Sequence, residues 1–322
     1  MLPNFLYKTL MTGLVVMLLL PACNKHDRGP SRTGGDGVAK NINDSIFFIC
    51  KDIYLWTDVL PDSATFKPSG FSSLEQMFDS LTRYKKDNSN NPLDRYSFLD
   101  NGGTSRVLQQ GIAGDMGFEV GYQTDNTLYV VYVYPGSPAD KAGIKRGWQL
   151  TAVNGTTSFQ YDDATNTLLN NAFGSSSATF GFRKPDGGSQ QNTLTAVDYK
   201  LNPILYSHIY DFSGTKIGYF VFNNFVGLDD VKDGIDSIFD GFASASVKQV
   251  IIDLRYNGGG LIETAEYLAN KLVPAAKSNT EMYSQYFNNN VYSNTYSNYF
   301  KNMKAVPYFP AVNWTDIFYK IG

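Results

Sequence analysis

With 322 residues, 43% of them hydrophobic and 18% charged, the chain is long enough for two or more domains built around apolar cores. Its formal net charge is −3 and it carries no basic run, which weighs against nucleic-acid binding as a main function. Two cysteines and two histidines leave no room for a disulfide framework or a Cys/His zinc site, and no metal or other cofactor is expected.

The N-terminus reads as a targeting segment. Lys8 gives a positive start, and Met11 to Leu20 is an apolar run of ten residues, too short to span a bilayer. Leu20-Pro21-Ala22-Cys23 follows and resembles a bacterial lipobox. That resemblance implies a lipoprotein signal peptide over 1–22, with Cys23 lipidated as the first mature residue. The protein would then sit in the bacterial cell envelope, with the outer membrane favoured, facing the periplasm or the cell surface. An ordinary signal peptide with an incidental cysteine is the alternative. Residues 23–40 hold Gly29, Pro30, Gly34, Gly35 and Gly37 and read as a flexible tether.

From Ile42 to Val59, Ile46, Ile49, Ile53 and Trp56 fall at helical intervals, and Leu74, Met77, Phe78 and Leu81 repeat this over Phe71 to Tyr84. Ser72 or Ser73 can cap the second helix. Residues 41–106 are thus expected to form a small α-helical domain with no chemistry of its own. Cys50 lies in an apolar run and is expected to be a buried, inert thiol.

Beyond Gly111 the texture changes to short strands and turns. Strands are expected from Met116 to Val120, Leu128 to Tyr134, Ala178 to Arg183 and Thr193 to Val197. Asn154-Gly155 marks a hairpin turn, and helices are expected after Pro138 and over Asp162 to Asn170. Y-P-G-S-P-A-D-K-A-G-I-K-R-G-W followed by L-T-A-V-N-G (Tyr134 to Gly155) resembles the PDZ domain of bacterial proteases, with Trp148 where the family usually has Asp. The resemblance implies a PDZ domain over 107–200, β-sandwich-like with two helices. It implies that a polypeptide C-terminus docks as an added strand, its carboxylate meeting backbone N–H groups of the loop Asp115, Met116, Gly117 and Phe118. A PDZ fold used as a rigid spacer is the alternative.

From Ile204 strands and helices alternate, which argues a mainly parallel α/β layer. Val250 to Leu254 is apolar enough for a strand buried on both faces. Arg255, Asn257 and the consecutive glycines Gly258, Gly259 and Gly260 follow it, and then Leu261, Ala265, Leu268 and Leu272 at helical spacing. A glycine turn of this kind can hold a developing negative charge on its N–H groups. Taken by itself, it equally fits a plain strand-to-helix turn that uses glycine for its dihedrals.

Gly218-Tyr219-Phe220 to Phe225, followed by Asp253-Leu254-Arg255-Tyr256-Asn257-Gly258-Gly259-Gly260, resembles the core of the carboxyl-terminal processing (tail-specific) serine proteases, peptidase family S41. Helical domain, PDZ domain and core stand in that family's order. The resemblance implies an incomplete α/β, crotonase-like protease core over 201–322 in a multidomain chain. It also implies peptide-bond hydrolysis by a Ser–Lys dyad, with an oxyanion hole drawing on Gly258 or Gly259.

The family places its serine in an S-A-S-type motif after the glycine turn. The 62 residues after Gly260 contain none. Phe242-Ala243-Ser244-Ala245-Ser246 lies on the wrong side of the strand. His208, the single histidine beyond the tether, has no G-x-S-x-G partner. The chain is therefore expected to stop short of its nucleophile and base and to be inactive as it stands. Non-catalytic capture of protein or peptide C-termini by a membrane-anchored lipoprotein is the alternative. A polysaccharide-binding reading rests on the Tyr/Asn-rich stretch from Tyr283 to Tyr299 alone.

Overall fold

Asn41 accepts the Asp44 N–H at 3.0 Å and caps α1 (Ile42–Ile53). The computed structural model describes residues 41–293 and 311–313. The signal segment, the tether with Cys23, and residues 294–310 and 314–322 lie outside the described residues. The helix ends sooner than the apolar spacing predicts, because Tyr54 turns to extended dihedrals (ψ 134°) and Thr57–Val59 forms a separate 3-10 turn. α2 (Ser63–Phe66) and α3 (Leu74–Thr82) close a core of Phe47, Cys50, Leu60, Phe66, Met77 and Leu81. Of the two candidate caps on α3 it is Ser73 whose hydroxyl takes the Gln76 N–H. Burial, and then the charge of Asp94, pushes the Cys50 thiol up to about 12, so it packs and does not react.

α4 (Gly103–Gln110) has no counterpart in the sequence reading. Its short apolar content gives little periodic signal, and its start rests on Asp100, whose carboxylate accepts the N–H groups of Gly102, Thr104 and Ser105. The chain then runs through β1 (Ile112–Asp115), β2 (Phe118–Thr124), β3 (Thr127–Val133), α5 (Pro138–Lys141), β4 (Gln149–Val153), α6 (Asp163–Phe173), β5 (Ser177–Arg183), β6 (Ser189–Thr195) and β7 (Val197–Lys200). Strands β2 to β6 make one antiparallel sheet in sequential order, and β1 pairs with β7. Phe118, Phe180 and Phe182 anchor the core beneath this sheet. Asn154 and Gly155 both take positive φ (48° and 88°), as a tight turn demands, but they join only an isolated Val153–Thr156 bridge rather than a hairpin.

β8 (Ile204–Phe212) and β9 (Thr215–Phe222) form an antiparallel hairpin. α7 (Leu228–Ser244) crosses to β10 (Gln249–Asp253), which lies parallel to β9, and α8 (Ile262–Leu272) follows. The sheet order is β10-β9-β8, so the expected mainly parallel layer is a mixed one. Phe220 and Phe222 pack with Val231, Ile235 and Phe239 of α7 and Leu268 of α8. Gly218 is glycine for space: an added Cβ would stand 2.8 Å from the Phe242 ring. The expectation that β10 is buried on both faces is corrected. Ile251 is 53% exposed and Leu254 is 42% exposed, because among the described residues β10 is an edge strand and the helices cover one face of the sheet.

After α8 come β11 (Glu281–Ser284) and α9 (Asn289–Tyr292), and β12 (Ala311–Asn313) pairs antiparallel with β11. Just before α9 the chain returns to the first helix. The buried Asn288 side chain donates to the carbonyls of Asp52 (2.9 Å) and Tyr54 (2.8 Å), and Asn290 donates to that of Lys51 (3.1 Å). These amides satisfy carbonyls that a helix end leaves open. Part of the asparagine-rich stretch is therefore structural. Asn288→Ala is expected to lower stability by about 1–3 kcal/mol, the usual cost of orphaned buried carbonyls. Urea unfolding checks this, with Asn289→Ala, on an exposed neighbour, staying close to the parent.

Candidate active site

The glycine turn sits where the parallel strands β9 and β10 end, the place where α/β layers gather ligand-binding loops. Three local ties give it shape. Asp253 is buried at the end of β10. Arg255 Nη2 reaches its carboxylate at 2.6 Å, the Arg255 N–H at 3.1 Å, and the Tyr219 hydroxyl donates to it at 2.5 Å. The hydrogen bonds from Arg255, foremost, hold the Asp253 carboxyl well below the usual carboxylate range. Asn257 is the second tie. Its Nδ2 donates to the Phe222 carbonyl at 3.1 Å and its Oδ1 accepts the Gly259 N–H at 2.8 Å.

The third tie is Phe225, which in the sequence stands only as the end of the Gly218 to Phe225 pattern. Its N–H donates to the Gly259 carbonyl at 2.9 Å and its carbonyl accepts the Leu261 N–H at 2.7 Å. The backbone of Phe225 approaches so closely that a Cβ on Gly260 (φ +139°) would fall 2.2 Å from its oxygen. Gly260 is thus glycine because of a close approach.

These ties separate the two expected oxyanion donors. The Gly259 N–H is already engaged by Asn257, whereas Gly258 is exposed and its N–H donates to nothing among the described residues. Close by, the side-chain oxygens of Asn223 and Asn224 are buried and accept no hydrogen bond among the described residues. Asn223 Nδ2 donates to the Tyr134 hydroxyl at 2.9 Å, which ties the end of β9 to the end of β3. Tyr256 in the turn packs on Tyr132 of β3, with ring centroids 5.9 Å apart. Between the two domains lies a cleft of about 540 Å³ walled by Tyr132, Arg146, Tyr206, Tyr210, Tyr219 and Arg255. His208 is exposed on β8 between Tyr206 and Tyr210 and has no serine or carboxylate partner among the described hydrogen bonds. Ser244 ends α7, and Ser246 sits in the turn beyond it with φ +59°, away from the glycines in sequence and role.

The loop expected to hold a peptide carboxylate lies at the entrance to β2. Met116 and Gly117 are buried, and their carbonyls are taken by Ala139 N–H (2.9 Å) and Tyr134 N–H (2.8 Å). Neither of their own N–H groups finds an acceptor among the described residues. Gly117 (φ +80°) has no room for a side chain, since a Cβ would overlap Ser137 at 1.9 Å. Phe118 starts the strand and its ring is buried in the core. Asp115, the last residue of β1, leads into this loop, and its carboxylate accepts the Tyr199 hydroxyl at 2.7 Å. Beside the loop, β2 is the terminal strand of its sheet. A groove of about 420 Å³ runs between β2 and α6, and Asn166, Leu169, Asn170 and Phe173 of α6 line it. The helix is expected from the sequence over Asp162 to Asn170, but its groove face is not. The i, i+3, i+4, i+7 spacing of these four residues is the signal that marks it.

Three family models match the chain in order. The peptidase S41 N-terminal domain matches residues 41–98, the PDZ domain matches 129–172, and peptidase family S41 matches 216–310. The chain thus carries S41-family domains on both sides of a PDZ domain. A carboxyl-terminal-processing protease from Picosynechococcus sp. is 26% identical to this chain over 167 residues, 51% of the chain and 39% of the relative, so the chain spans about two fifths of that relative's length. The crystal structure of an S41 protease from Bacteroides fragilis covers 79% of the chain and 63% of its own length at 22% identity, with a TM-score of 0.49. The photosystem II D1 C-terminal processing protease covers 71% of the chain and 65% of its own at 19% identity, with a TM-score of 0.32.

Proposed function

We propose that this chain is the C-terminus-capturing and oxyanion-stabilising portion of a carboxyl-terminal-processing serine peptidase. The observation that carries this reading is the glycine turn, clamped by Phe225 and Asn257 so that the N–H of Gly258 stays open at the strand ends. In peptide hydrolysis a lysine of lowered pKa takes the proton of a serine, the serine oxygen attacks the scissile carbonyl, and negative charge develops on the carbonyl oxygen. A fixed N–H aimed at that oxygen stabilises the charge, and removing one such donor typically costs about 10²–10³ in rate. Gly258 is the donor this chain offers. The serine and lysine are not supplied by an S-A-S motif anywhere after Gly260. The loop at Met116 and Gly117 holds the carboxylate of a polypeptide C-terminus, and lipid on Cys23 tethers the whole to the cell envelope.

The second reading, capture without cleavage, is favoured by the same open N–H groups and by the free edge of β2. Intact-mass spectrometry of the 322-residue chain, expressed in a bacterial envelope and treated with a fluorophosphonate, tests both readings. Expected are no phosphonyl adduct and a mature N-terminus at a lipid-modified Cys23. A stoichiometric serine adduct overturns the claim that the nucleophile is missing, and an unmodified Cys23 removes the anchor.

A further inference from the structure

The first helix carries two apolar faces. Phe47 and Cys50 of α1 point into the core of the helical domain. Ile42, Ile46, Ile49 and Ile53 stand at i, i+4, i+7 and i+11, so on a helix of 3.6 residues per turn they fall within about 60° of one another. This stripe is not the core face. Its ends are open, Ile42 at 58% and Ile53 at 44% exposed, and Ile46 and Ile49 between them are half-buried. A single exposed isoleucine is ordinary. Four in register along the whole of α1 make a second amphipathic face.

The neighbours of α1 leave the ends of the stripe uncovered. On one flank lies the small core of Phe47, Met77 and Leu81. On another, Asn288 and Asn290 hold the carbonyls of Lys51, Asp52 and Tyr54. Apolar exposure continues beyond the helix. Asp94, which accepts the Tyr54 hydroxyl at 2.7 Å, also accepts the Tyr96 N–H at 3.2 Å, and Tyr96 is 89% exposed. An exposed apolar surface of this kind marks an interaction site.

The order of the chain points to the occupant. Only residues 24–40 separate Cys23 from the Asn41 cap of α1, and 17 residues span at most about 60 Å. With lipid on Cys23, α1 is the first described element beyond the anchor. A 12-residue helix is about 18 Å long, too short to cross a bilayer, and no described helix is long and apolar enough to do so. A short helix with an isoleucine stripe lies in the plane of the interface. The formal net charge of −3 gives no attraction to anionic lipid, so the contact is an apolar one.

Resting on the reading of Cys23 as lipid-modified, we propose that the outer stripe of α1, Ile42 to Ile53, seats at the headgroup–acyl boundary of a phospholipid bilayer, as a second membrane contact beside the anchor. Lipid alone leaves the domain free to turn on its tether. The stripe gives it one way up.

The test uses the mature chain, Cys23 to Gly322, made without lipid. Cys50 is buried, so Cys23 couples selectively to a maleimide lipid in vesicles of phosphatidylcholine with about one fifth phosphatidylglycerol. This supplies an anchor whatever happens to Cys23 in a cell. A lipid with a photoactivatable diazirine in its acyl chain is included, and labelled peptides are mapped by mass spectrometry. Expected is labelling of α1 at Ile42 and Ile53, with Phe212 and Ile251, at least as open to solvent on the core sheet, unlabelled. Co-sedimentation of the uncoupled chain with the same vesicles is expected to be weak, unchanged by about 0.5 M salt, and reduced by at least about tenfold in Ile42→Asp/Ile53→Gln, the scale of two apolar side chains returned to water. Asp suits the first turn of a helix and Gln its interior, so this variant is expected to keep the parent's thermal unfolding. Equal labelling of Phe212 and Ile251, or none on α1, overturns the stripe and leaves the anchor reading standing. So does a dimer that the double variant abolishes while α1 stays unlabelled, which assigns the stripe to a second copy of the chain. An unmodified Cys23 in chain recovered from a bacterial envelope overturns the anchor reading alone.

Discussion

Asp236→Ala is expected to destabilise the chain by about 3–5 kcal/mol, the scale seen when one partner of a buried ion pair is removed. The reason is Lys271 of α8, which is 5% exposed and whose ammonium stands 2.5 Å from Asp236 of α7. Asp236 also takes a hydrogen bond from the Tyr267 hydroxyl and an ion pair from Lys232 at 2.6 Å. Without the carboxylate, a buried ammonium is left beside the Tyr267 ring, 5.1 Å from its centroid, and no other ion pair among the described residues supplies a counter-charge to replace Asp236. Adding Lys271→Met to Asp236→Ala is expected to recover most of the loss, because the uncompensated charge goes with the lysine. Urea unfolding of the parent, single and double variants at pH 7 reads this directly.

The same site sets an acid limit. Partial burial pushes the Asp236 carboxyl up, but hydrogen bonds from Lys232, Lys271 and Tyr267 outweigh it and bring it down to about 2. A carboxyl depressed in the folded state stabilises fully above its unfolded value, near 3.9, and loses that contribution as pH falls toward about 2. The gap between parent and Asp236→Ala should therefore narrow below pH 4 and be unchanged from pH 5 to 8. A gap that stays constant down to pH 2 would remove the carboxylate from the account.

Gly260→Ala is expected to lower stability by about 3 kcal/mol. Overpacking against fixed atoms costs about 1–3 kcal/mol, and a side chain in a backbone region open mainly to glycine adds about 1–3 more. The new Cβ would have to displace the Phe225 carbonyl, and with it the Leu261 N–H that opens α8. Gly258→Ala is the internal control: its φ is not positive and nothing lies within 4 Å of the added carbon. Thermal unfolding should place Gly258→Ala close to the parent and Gly260→Ala well below it. Hydrogen exchange should show the first turn of α8 opening in the Gly260 variant alone. Equal shifts for the two variants would mean that the Phe225 clamp does not fix the turn.

The elements of the core were legible in the sequence because they obey local rules. Val231, Ile235 and Phe242 repeat at helical spacing and end up buried in α7, and Ser73 and Asp162 cap the helices they precede. What stayed hidden depends on neighbours distant in the chain. An apolar run such as Val250 to Leu254 looks the same in the middle of a sheet and at its edge, so its exposed Ile251 could not be read. Three successive glycines show a turn, but which N–H stays open is decided by Asn257 folding back on Gly259 and by Phe225 arriving from another loop. The carboxylate of Asp115 accepts the hydroxyl of Tyr199, 84 residues later, a tie that no local pattern announces.

The closure of α1 by Asn288 also orders events in time. The two residues that meet, Asp52 and Asn288, are 236 positions apart. At ribosomal speeds of about 5–20 residues per second, the end of the first helix waits about 12–47 s for its cap. Throughout that interval the helical domain relies on its own small core of Phe47, Met77 and Leu81, while the PDZ domain and β8 to β10 are completed behind it. The first domain to leave the ribosome is thus among the last to be finished, because its final hydrogen bonds come from a segment 236 positions downstream.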